Sequence, residues 1–179
     1  MNDMTSTYRV ELVDAAAAAG LSDDIIRIHN DVYSDSPFNR PSSGIDFGTA
    51  VLPLHLGRKE FTLATARDSH GEIVGYCYGY VGDHGQFWTD YVAERIHPSL
   101  EKAWLGDHLE IVELAVEKSA RGKGVGRSLL TTLLDSRGDD RMALLTVAKN
   151  APAVDLYESL GFTSFGEFEN FVLLGRRRS

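Results

Sequence analysis

The sequence is poor in several features that would point to whole classes of protein. Cys77 is the single cysteine among 179 residues, which excludes an intramolecular disulfide and a cysteine metal cluster. Basic residues are outnumbered, with 18 Lys and Arg against 26 Asp and Glu, so a sequence-independent grip on nucleic acid phosphates is not expected. The net charge of -8 favours a neutral or cationic small partner instead.

The sequence also lacks a long hydrophobic run, a basic leader and clustered metal ligands. Its alanine run, Ala15–Ala19, spans five residues, whereas a membrane-crossing helix needs roughly 20, and the amino terminus has no basic n-region of a signal peptide. We therefore expect a cytoplasmic protein that contacts neither a membrane nor a metal. The six histidines, at 29, 55, 70, 84, 97 and 108, show no close metal-ligand spacing.

The first half of the chain predicts a strand, a helix and a hairpin. The stretch STYRVELVDA alternates as a strand does, and SDDIIRIHNDVYS predicts a helix that Ser22 caps. Two further strands, 61–67 and 72–81, are separated by a short glycine-containing turn. The length of the chain suits one core, so we expect a single domain over 1–179.

After an aromatic insert at 82–107, the second half of the chain alternates strands and helices. The stretch HLEIVELAV predicts a strand from about 108 to 116, and the tail offers two last strands. Alternation of this kind after a hairpin is typical of a mixed α/β sheet. The remaining elements are the helix GRSLLTTLLDS, the buried strand RMALLTVA and the helix NAPAVDLYESLGF, which Asn150 caps and Gly161 ends.

The stretch ARGKGVGRSLL, residues 120 to 130, places glycines at 122, 124 and 126 directly before a helix. A helix start exposes unpaired backbone N–H groups and the positive end of a dipole. Glycines remove the side chains that would block a close approach, and Arg121, Lys123 and Arg127 add positive charge. The stretch therefore predicts an anion site, and a plain surface turn is the alternative.

Two common phosphate loops do not match this stretch. A dinucleotide fingerprint needs a glycine three positions after Gly124, where Arg127 stands. A P-loop needs Ser or Thr after its lysine, but Lys123 is followed by Gly124. A plain nucleotide-phosphate binder is therefore the weakest interpretation.

A third arrangement does match. Arg121, Gly124 and Gly126 follow the pattern Arg/Gln-x-x-Gly-x-Gly/Ala between the strand residues ELAV and a helix, and this resembles the GCN5-related N-acetyltransferases. A later motif of that family is similar to NAPAVDLYESLGF, and the two matching stretches run from about 108 to 162. The matching positions of the later motif are Asn150, Ala153, Leu156, Tyr157, Gly161 and Phe162.

The resemblance implies both the fold and the cosubstrate. The implied fold is α/β, with a mixed and mostly antiparallel sheet flanked by helices and a splay between its two central parallel strands. Acetyl-coenzyme A is the implied acyl donor, held by a core at about 108–165, with acceptor-side elements at about 22–48 and 82–107. The implied cofactor-binding residues are Leu114, Ala115, Val116, Arg121, Gly122, Lys123, Gly124, Val125, Gly126, Arg127, Ser128, Asn150 and Tyr157.

Acyl transfer to an amine requires a base for the amine and a proton for the departing thiolate. Glu110 and Glu113 are the carboxylates on the predicted strand before the loop, and their odd spacing sends them to opposite faces. In the family a glutamate on this strand often acts as base, and we favour Glu113 because it lies closer to the expected thioester. The resemblance gives Tyr157 the role of proton donor, which a phenol with a pKa of about 10 fills without adjustment.

The sequence does not identify the molecule that accepts the acetyl group. We expect an N-acetyltransferase that acts on a primary amine of a small molecule or peptide by direct attack in a ternary complex, although O-transfer is not excluded. The alternative is a catalytically weak module that senses acyl-coenzyme A. The final strands often mediate dimers in this family, so the resemblance allows a homodimer.

Overall fold

The computed structural model divides into two compact units, and each is described by itself. The first unit consists of Met1–Tyr78 and Glu113–Ser136, and the second of Gly79–Val112 and Arg137–Ser179. The single-domain organisation over 1–179 stays a prediction. The described residues are 8–34, 46–137, 149 and 151–177, together with the backbone of 141–146.

The strands of the described residues form a mixed sheet. They are β1 (Arg9–Asp14), β2 (Thr62–Arg67), β3 (Ile73–Gly82), β4 (His108–Val116), β5 (Arg141–Thr146), β6 (Thr163–Phe168) and β7 (Phe171–Arg177), in the order β1-β2-β3-β4-β5-β7-β6. Strand β4 pairs parallel with β5, whereas β1 with β2, β5 with β7, and β6 with β7 pair antiparallel. The predicted mixed, mostly antiparallel sheet is confirmed. The parallel register joins Leu109–Ile111 to Met142–Leu144, and a splay beyond this short register stays a prediction.

Helices flank the sheet, as predicted. A π-helical turn, Phe47–Val51, precedes the third helix, and a 3-10 turn, Lys118–Ala120, follows β4. The helices within the described ranges are α1 (Ala15–Ala19), α2 (Ser22–Ser34), α3 (Leu52–Leu56), α4 (Phe87–Ala93), α5 (Pro98–Trp104), α6 (Val125–Asp135) and α7 (Pro152–Ser159).

Helix α2 starts differently from the prediction. Ser22, the predicted cap, is the first helical residue, and its hydroxyl donates a hydrogen bond to the carbonyl of Ala19 at 2.8 Å. The carbonyl of Leu21 accepts from the amide of Ile25 at 3.0 Å, so Leu21 holds the cap position. The cause is the alanine run, which forms its own helix α1 just before α2 and takes the hydroxyl of Ser22 as a partner.

Strands β2 and β3 form the predicted hairpin. They are neighbours in the sheet, and Gly71 in the turn between them has a φ of +85°. The carboxylate of Asp68 accepts hydrogen bonds from the amides of His70 at 2.9 Å and Glu72 at 3.0 Å. A side chain of this kind stabilises a tight turn by satisfying its amides.

The core of the first unit lies under helix α6. Its apolar residues recur at helical spacing, so that one face is buried. This face packs on β1 and β2, as the amphipathic pattern of the sequence predicts. The buried residues are Val125, Leu129, Leu130, Leu133 and Leu134.

Glycine on strand β3 permits a close approach of the next strand. A Cβ on Gly79 would lie 2.5 Å from the carbonyl oxygen of Glu110 in β4, so only glycine fits at this position. On the same face of β3, Cys77 is fully buried, and burial raises the pKa of its thiol. Cys77 is therefore an inert core residue, as expected.

The aromatic insert supplies much of the core of the second unit. On α4, Trp88 and Tyr91 stack with 5.3 Å between ring centroids. Trp88 and Phe165 pack against a buried cluster, which ties the insert to β6. The members of that cluster are Val92, Leu105 and Leu173.

We expect Leu130→Ala to lower the free energy of unfolding by about 2–5 kcal/mol, because Leu130 is fully buried on α6. Leu54→Ala on α3 is the control: Leu54 is 56% exposed, so its loss is expected to stay within about 0.5 kcal/mol. Urea unfolding followed by circular dichroism measures both. Equal losses in the two variants would contradict the packing of α6.

Candidate active site

The glycine loop lies between the end of β4 and the start of α6, in the first unit. Gly122 and Gly124 have φ values of +72° and +78°, in the left-handed region that favours glycine. A Cβ at either position would meet no heavy atom within 4 Å, and Gly124 occupies the cap position of α6. The backbone before this helix is therefore open to a ligand.

The amides at the start of α6 suit an anion. The first hydrogen bond within the helix runs from the amide of Ser128 to the carbonyl of Gly124, at 3.0 Å. The preceding amides, those of Val125, Gly126 and Arg127, have no acceptor inside the helix. Together with the positive end of the helix dipole, they match the oxygens of a diphosphate. The loop thus has an open backbone that suits an anionic group.

Two cations of the loop donate hydrogen bonds to oxygens of the residues around it. Arg121 Nε donates a hydrogen bond to the carbonyl of Val116 at 2.8 Å. Lys123 Nζ donates to the carbonyl of Ser119 at 2.9 Å and to the hydroxyl of Tyr8 at 3.2 Å. Both side chains therefore hold the turn in shape. A small pocket of about 180 Å³ lies beside the turn and is lined by Tyr8, Val10, Lys123, Val125 and Ser128.

The last residues of β4 carry the backbone groups that the resemblance assigns to the pantetheine arm. Ala115 is buried, whereas Leu114 and Val116 are half-buried. The carbonyl of Val116 already accepts one hydrogen bond, from Arg121, so one of its two lone pairs is used. A pantetheine arm that pairs as an added strand would therefore use the remaining backbone N–H and C=O groups of residues 114–116.

Glu113 lies in a buried polar cluster of the first unit. Its Oε2 atom accepts a hydrogen bond from the hydroxyl of Tyr76 at 2.7 Å, and the same oxygen lies 3.1 Å from Nδ1 of His29. Burial, followed by the charge of Glu113, raises the pKa of Tyr76 well above its usual value, so the phenol stays a donor. These three residues, Glu113, Tyr76 and His29, are called the Glu113 cluster below.

His29 is the member of this cluster that sequence reasoning missed. Its ring stacks on Phe47 of the π-helical turn, with 3.6 Å between centroids and 3° between planes. It also lies 4.8 Å from the ring of Tyr33, one helical turn later on α2. The spacing of His29 and Tyr33 was visible in the sequence, but the contact of His29 with a distant strand was not.

Glu110, the second candidate base, lies in the second unit and is 6% exposed. Its Oε2 atom is 3.8 Å from Nε2 of His108, and His108 Nδ1 accepts a hydrogen bond from the amide of Gly106 at 3.1 Å. A Cβ on Gly82 would lie 2.7 Å from Glu110 Oε2. Glu110 is therefore packed against backbone, beside a histidine of its own strand.

Tyr157, the predicted proton donor, lies on α7 in the second unit. It is 6% exposed, and its ring meets that of Phe162 at 61°, with 6.0 Å between centroids. Gly161 follows the helix with a φ of +86° and ends it as predicted. Asn150 lies outside the described residues, so its contact with the coenzyme stays a prediction. Ala151 holds the cap position that was predicted for Asn150, because the helix starts one residue later than expected.

The described residues contain neither a candidate metal-binding cluster nor a candidate membrane-spanning helix. No group of three or more His, Cys, Asp or Glu side chains in these ranges could hold a metal ion. None of their helices combines the length and the apolar character of a bilayer-crossing segment.

Sequence relatives share much of the chain. The protein is 33% identical over 128 residues to the GCN5-like protein acetyltransferase Rv2170 of Mycobacterium tuberculosis, a match that covers 63% of this chain and 62% of that protein. It is 33% identical over 112 residues to a mycothiol acetyltransferase of Salinispora tropica, covering 60% of this chain and 31% of that protein. The chain thus spans less than two thirds of the length of either relative.

A solved structure shares the fold. The structure of yncA from Salmonella typhimurium with its cofactor acetyl-CoA matches with a TM-score of 0.61 at 21% identity, covering 96% of this chain and 94% of that one. The sequence model of the acetyltransferase (GNAT) family matches residues 22–162, which includes the glycine loop, both glutamates and Tyr157. The chain therefore belongs to the GNAT acetyltransferase family.

Proposed function

We propose that the protein transfers an acetyl group from acetyl-coenzyme A to a primary amine of a small molecule or peptide, by direct attack in a ternary complex. The observation that carries this proposal is the open glycine loop at the start of α6, which follows the strand that holds the buried Glu113. Family membership supports acetyl transfer in general. When bound, the coenzyme supplies the activated acyl group as a thioester.

Backbone groups do most of the proposed coenzyme binding. The space that a Cβ would fill at Gly122 and Gly124 is open, and the amides of residues 125–127 suit the diphosphate. The backbone of residues 114–116 pairs with the pantetheine arm as an added strand does. An amide at the end of this strand then polarises the thioester carbonyl.

The acceptor amine must lose a proton before it attacks. An alkylammonium group with a pKa of about 10.4 is neutral at pH 7 only about once in a few thousand molecules, which costs about 5 kcal/mol. We assign this proton transfer to the Glu113 cluster, because Glu113 lies on β4 nearest to the coenzyme-binding residues and is joined to an imidazole. Glu110 is the second candidate.

The departing thiolate must gain a proton. We assign this step to Tyr157, as the resemblance implies. A phenol is protonated at neutral pH, so Tyr157 can donate its hydroxyl proton to the sulfur. Its burial beside Phe162 limits its rotation, which favours a fixed donor.

The acceptor belongs to one of two classes. Relatives named as a protein acetyltransferase and as mycothiol acetyltransferases support testing peptide amines and small-molecule amines together. The net charge of -8 favours a cationic amine. The acceptor-side elements at 22–48 and 82–107, a homodimer and a cytoplasmic location stay predictions.

We expect Gly124→Val to weaken the binding of acetyl-coenzyme A about tenfold or more, because the new side chain fills the space before α6. Gly71→Val is a matched control, since Gly71 also has a positive φ and open surroundings. It carries a similar backbone strain, about 1–2 kcal/mol, away from the loop. Calorimetric titration with acetyl-coenzyme A measures both affinities, and equal values would contradict the assigned loop.

We expect Tyr157→Phe to lower kcat about a hundredfold and to leave the Kd of acetyl-coenzyme A unchanged, because only the proton donor is lost. Release of free thiol across a panel of amines measures the rate. Tyr80→Phe is the control, because Tyr80 is a buried tyrosine of the same unit outside the acceptor-side elements, and this variant should retain the wild-type rate. A wild-type protein that binds acetyl-coenzyme A yet releases no thiol with any amine would instead be the sensor module.

A further inference from the structure

Glu113 is too enclosed to meet a substrate amine directly. Its side chain is 1% exposed, and its Oε2 atom is engaged by both Tyr76 and His29, at 2.7 and 3.1 Å. Turning this carboxylate toward a substrate would break both contacts and leave a buried charge without them. A group that is joined to Glu113 and reaches the surface is better placed to take the proton.

His29 has these properties. Its side chain is 13% exposed, and the stack on Phe47 holds its ring flat. Nδ1 faces the carboxylate of Glu113, so in the neutral ring Nδ1 carries the hydrogen and Nε2 keeps the lone pair. A buried carboxylate that bonds Nδ1–H in this way fixes the ring orientation and stabilises the imidazolium form.

We propose that His29 is the catalytic base, that its Nε2 atom takes the proton from the acceptor amine, and that Glu113 and Tyr76 are positioning residues. The inference rests on the proposed acetyl transfer and names the proton acceptor of that reaction. Tyr76 donates to the same oxygen that faces His29, so it holds the carboxylate in place for the imidazole.

The proposed reaction is an acyl transfer that begins with one proton transfer. The ammonium group of the acceptor gives one proton to His29 Nε2, and the imidazolium that forms is stabilised by the Glu113 carboxylate. The neutral amine forms a bond from its nitrogen to the acyl carbon, and the bond from that carbon to sulfur breaks. Tyr157 gives its phenolic proton to the thiolate and regains the second proton that the attacking nitrogen loses, and His29 returns its proton to solvent. The products are the amide, the free thiol and one released proton.

Charged and titratable groups face the imidazole from each packed element. Glu113 faces it from β4, Tyr33 from its own helix, and Tyr76 reaches the shared carboxylate from β3. Asp46, beside the π-helical turn, has a pKa lowered mainly by hydrogen bonds from Thr49 and to a smaller extent by His29.

The tautomer of His29 tests the inference without any turnover. In ¹⁵N NMR spectra of the full chain above the titration of the ring, Nδ1 should carry the hydrogen and Nε2 should be bare, with the signals assigned by their loss in His29→Gln. In Glu113→Gln the preference should weaken. Hydrogen on Nε2 in the wild-type protein would overturn the inference, whatever the variants do.

Kinetics supply the second test. We expect His29→Gln to lower kcat/KM at neutral pH about a hundredfold or more, to abolish the acid limb of the pH profile, and to leave the Kd of acetyl-coenzyme A unchanged. Added imidazole should restore part of the rate of His29→Ala. Glu113→Gln should also lower kcat/KM, because the imidazolium that forms loses its negative partner.

His55→Gln is the matched control. His55 Nδ1 lies 2.9 Å from the hydroxyl of the buried Tyr78, so this variant removes an imidazole that contacts a buried polar side chain, as His29→Gln does. It should keep the wild-type rate and acid limb. Turnover with an unchanged acid limb in His29→Gln would overturn this inference and leave the proposed function standing. Absence of thiol release by the wild-type protein with every amine would overturn the proposed function, and with it the catalytic role of His29.

Discussion

The burial of the Glu113 carboxylate is the constraint on which the first unit depends. A charge removed from water costs several kcal/mol unless other groups replace its hydration. Here the replacement comes from two different elements, the phenol of Tyr76 on β3 and the imidazole of His29 on α2. The carboxylate therefore fixes α2 and β3 against β4, and it does so on the strand that leads into the glycine loop.

Helix α2 makes a second contact with the residues around β4, just after the end of this strand. Arg27 donates hydrogen bonds to the carboxylate of Glu117, just after β4, and to the carbonyl of Ile73 at 2.9 Å. The hydrogen bond with Glu117 is the largest cause of the raised pKa of Arg27. The Arg27 side chain is half exposed, so the pair contributes about 0–1 kcal/mol and positions α2 more than it stabilises the fold. A shift of α2 would thus move the Glu113 cluster and the start of the glycine loop together.

Local patterns in the sequence predicted most of the elements but only part of the site. The periodicity of α6, the strand before it and the glycines at 122 and 124 are local signals, and the structure bears them out. The cap of α2 was predicted wrongly, because the neighbouring alanine run forms a helix of its own and competes for Ser22. The Glu113 cluster was beyond prediction, because no local pattern encodes which helix lies over a given strand. The alternating pattern of β3 predicts the face on which Tyr76 lies, but it does not predict the hydrogen bond from Tyr76 to Glu113.

The two glutamates of β4 lie on the same strand but have different neighbours. These neighbours, more than the strand sequence, decide what each carboxylate can do. Glu113 is bonded by a phenol that stays protonated and faces an imidazole that reaches the surface. Glu110 packs against the backbone at Gly82, with His108 at 3.8 Å. The strand supplies both carboxylates, but Glu113 is the one bonded to a phenol of β3 and next to a partly exposed imidazole of α2. The family motif therefore accounts for the glycine loop, whereas the proposed path of the proton depends on elements outside that motif.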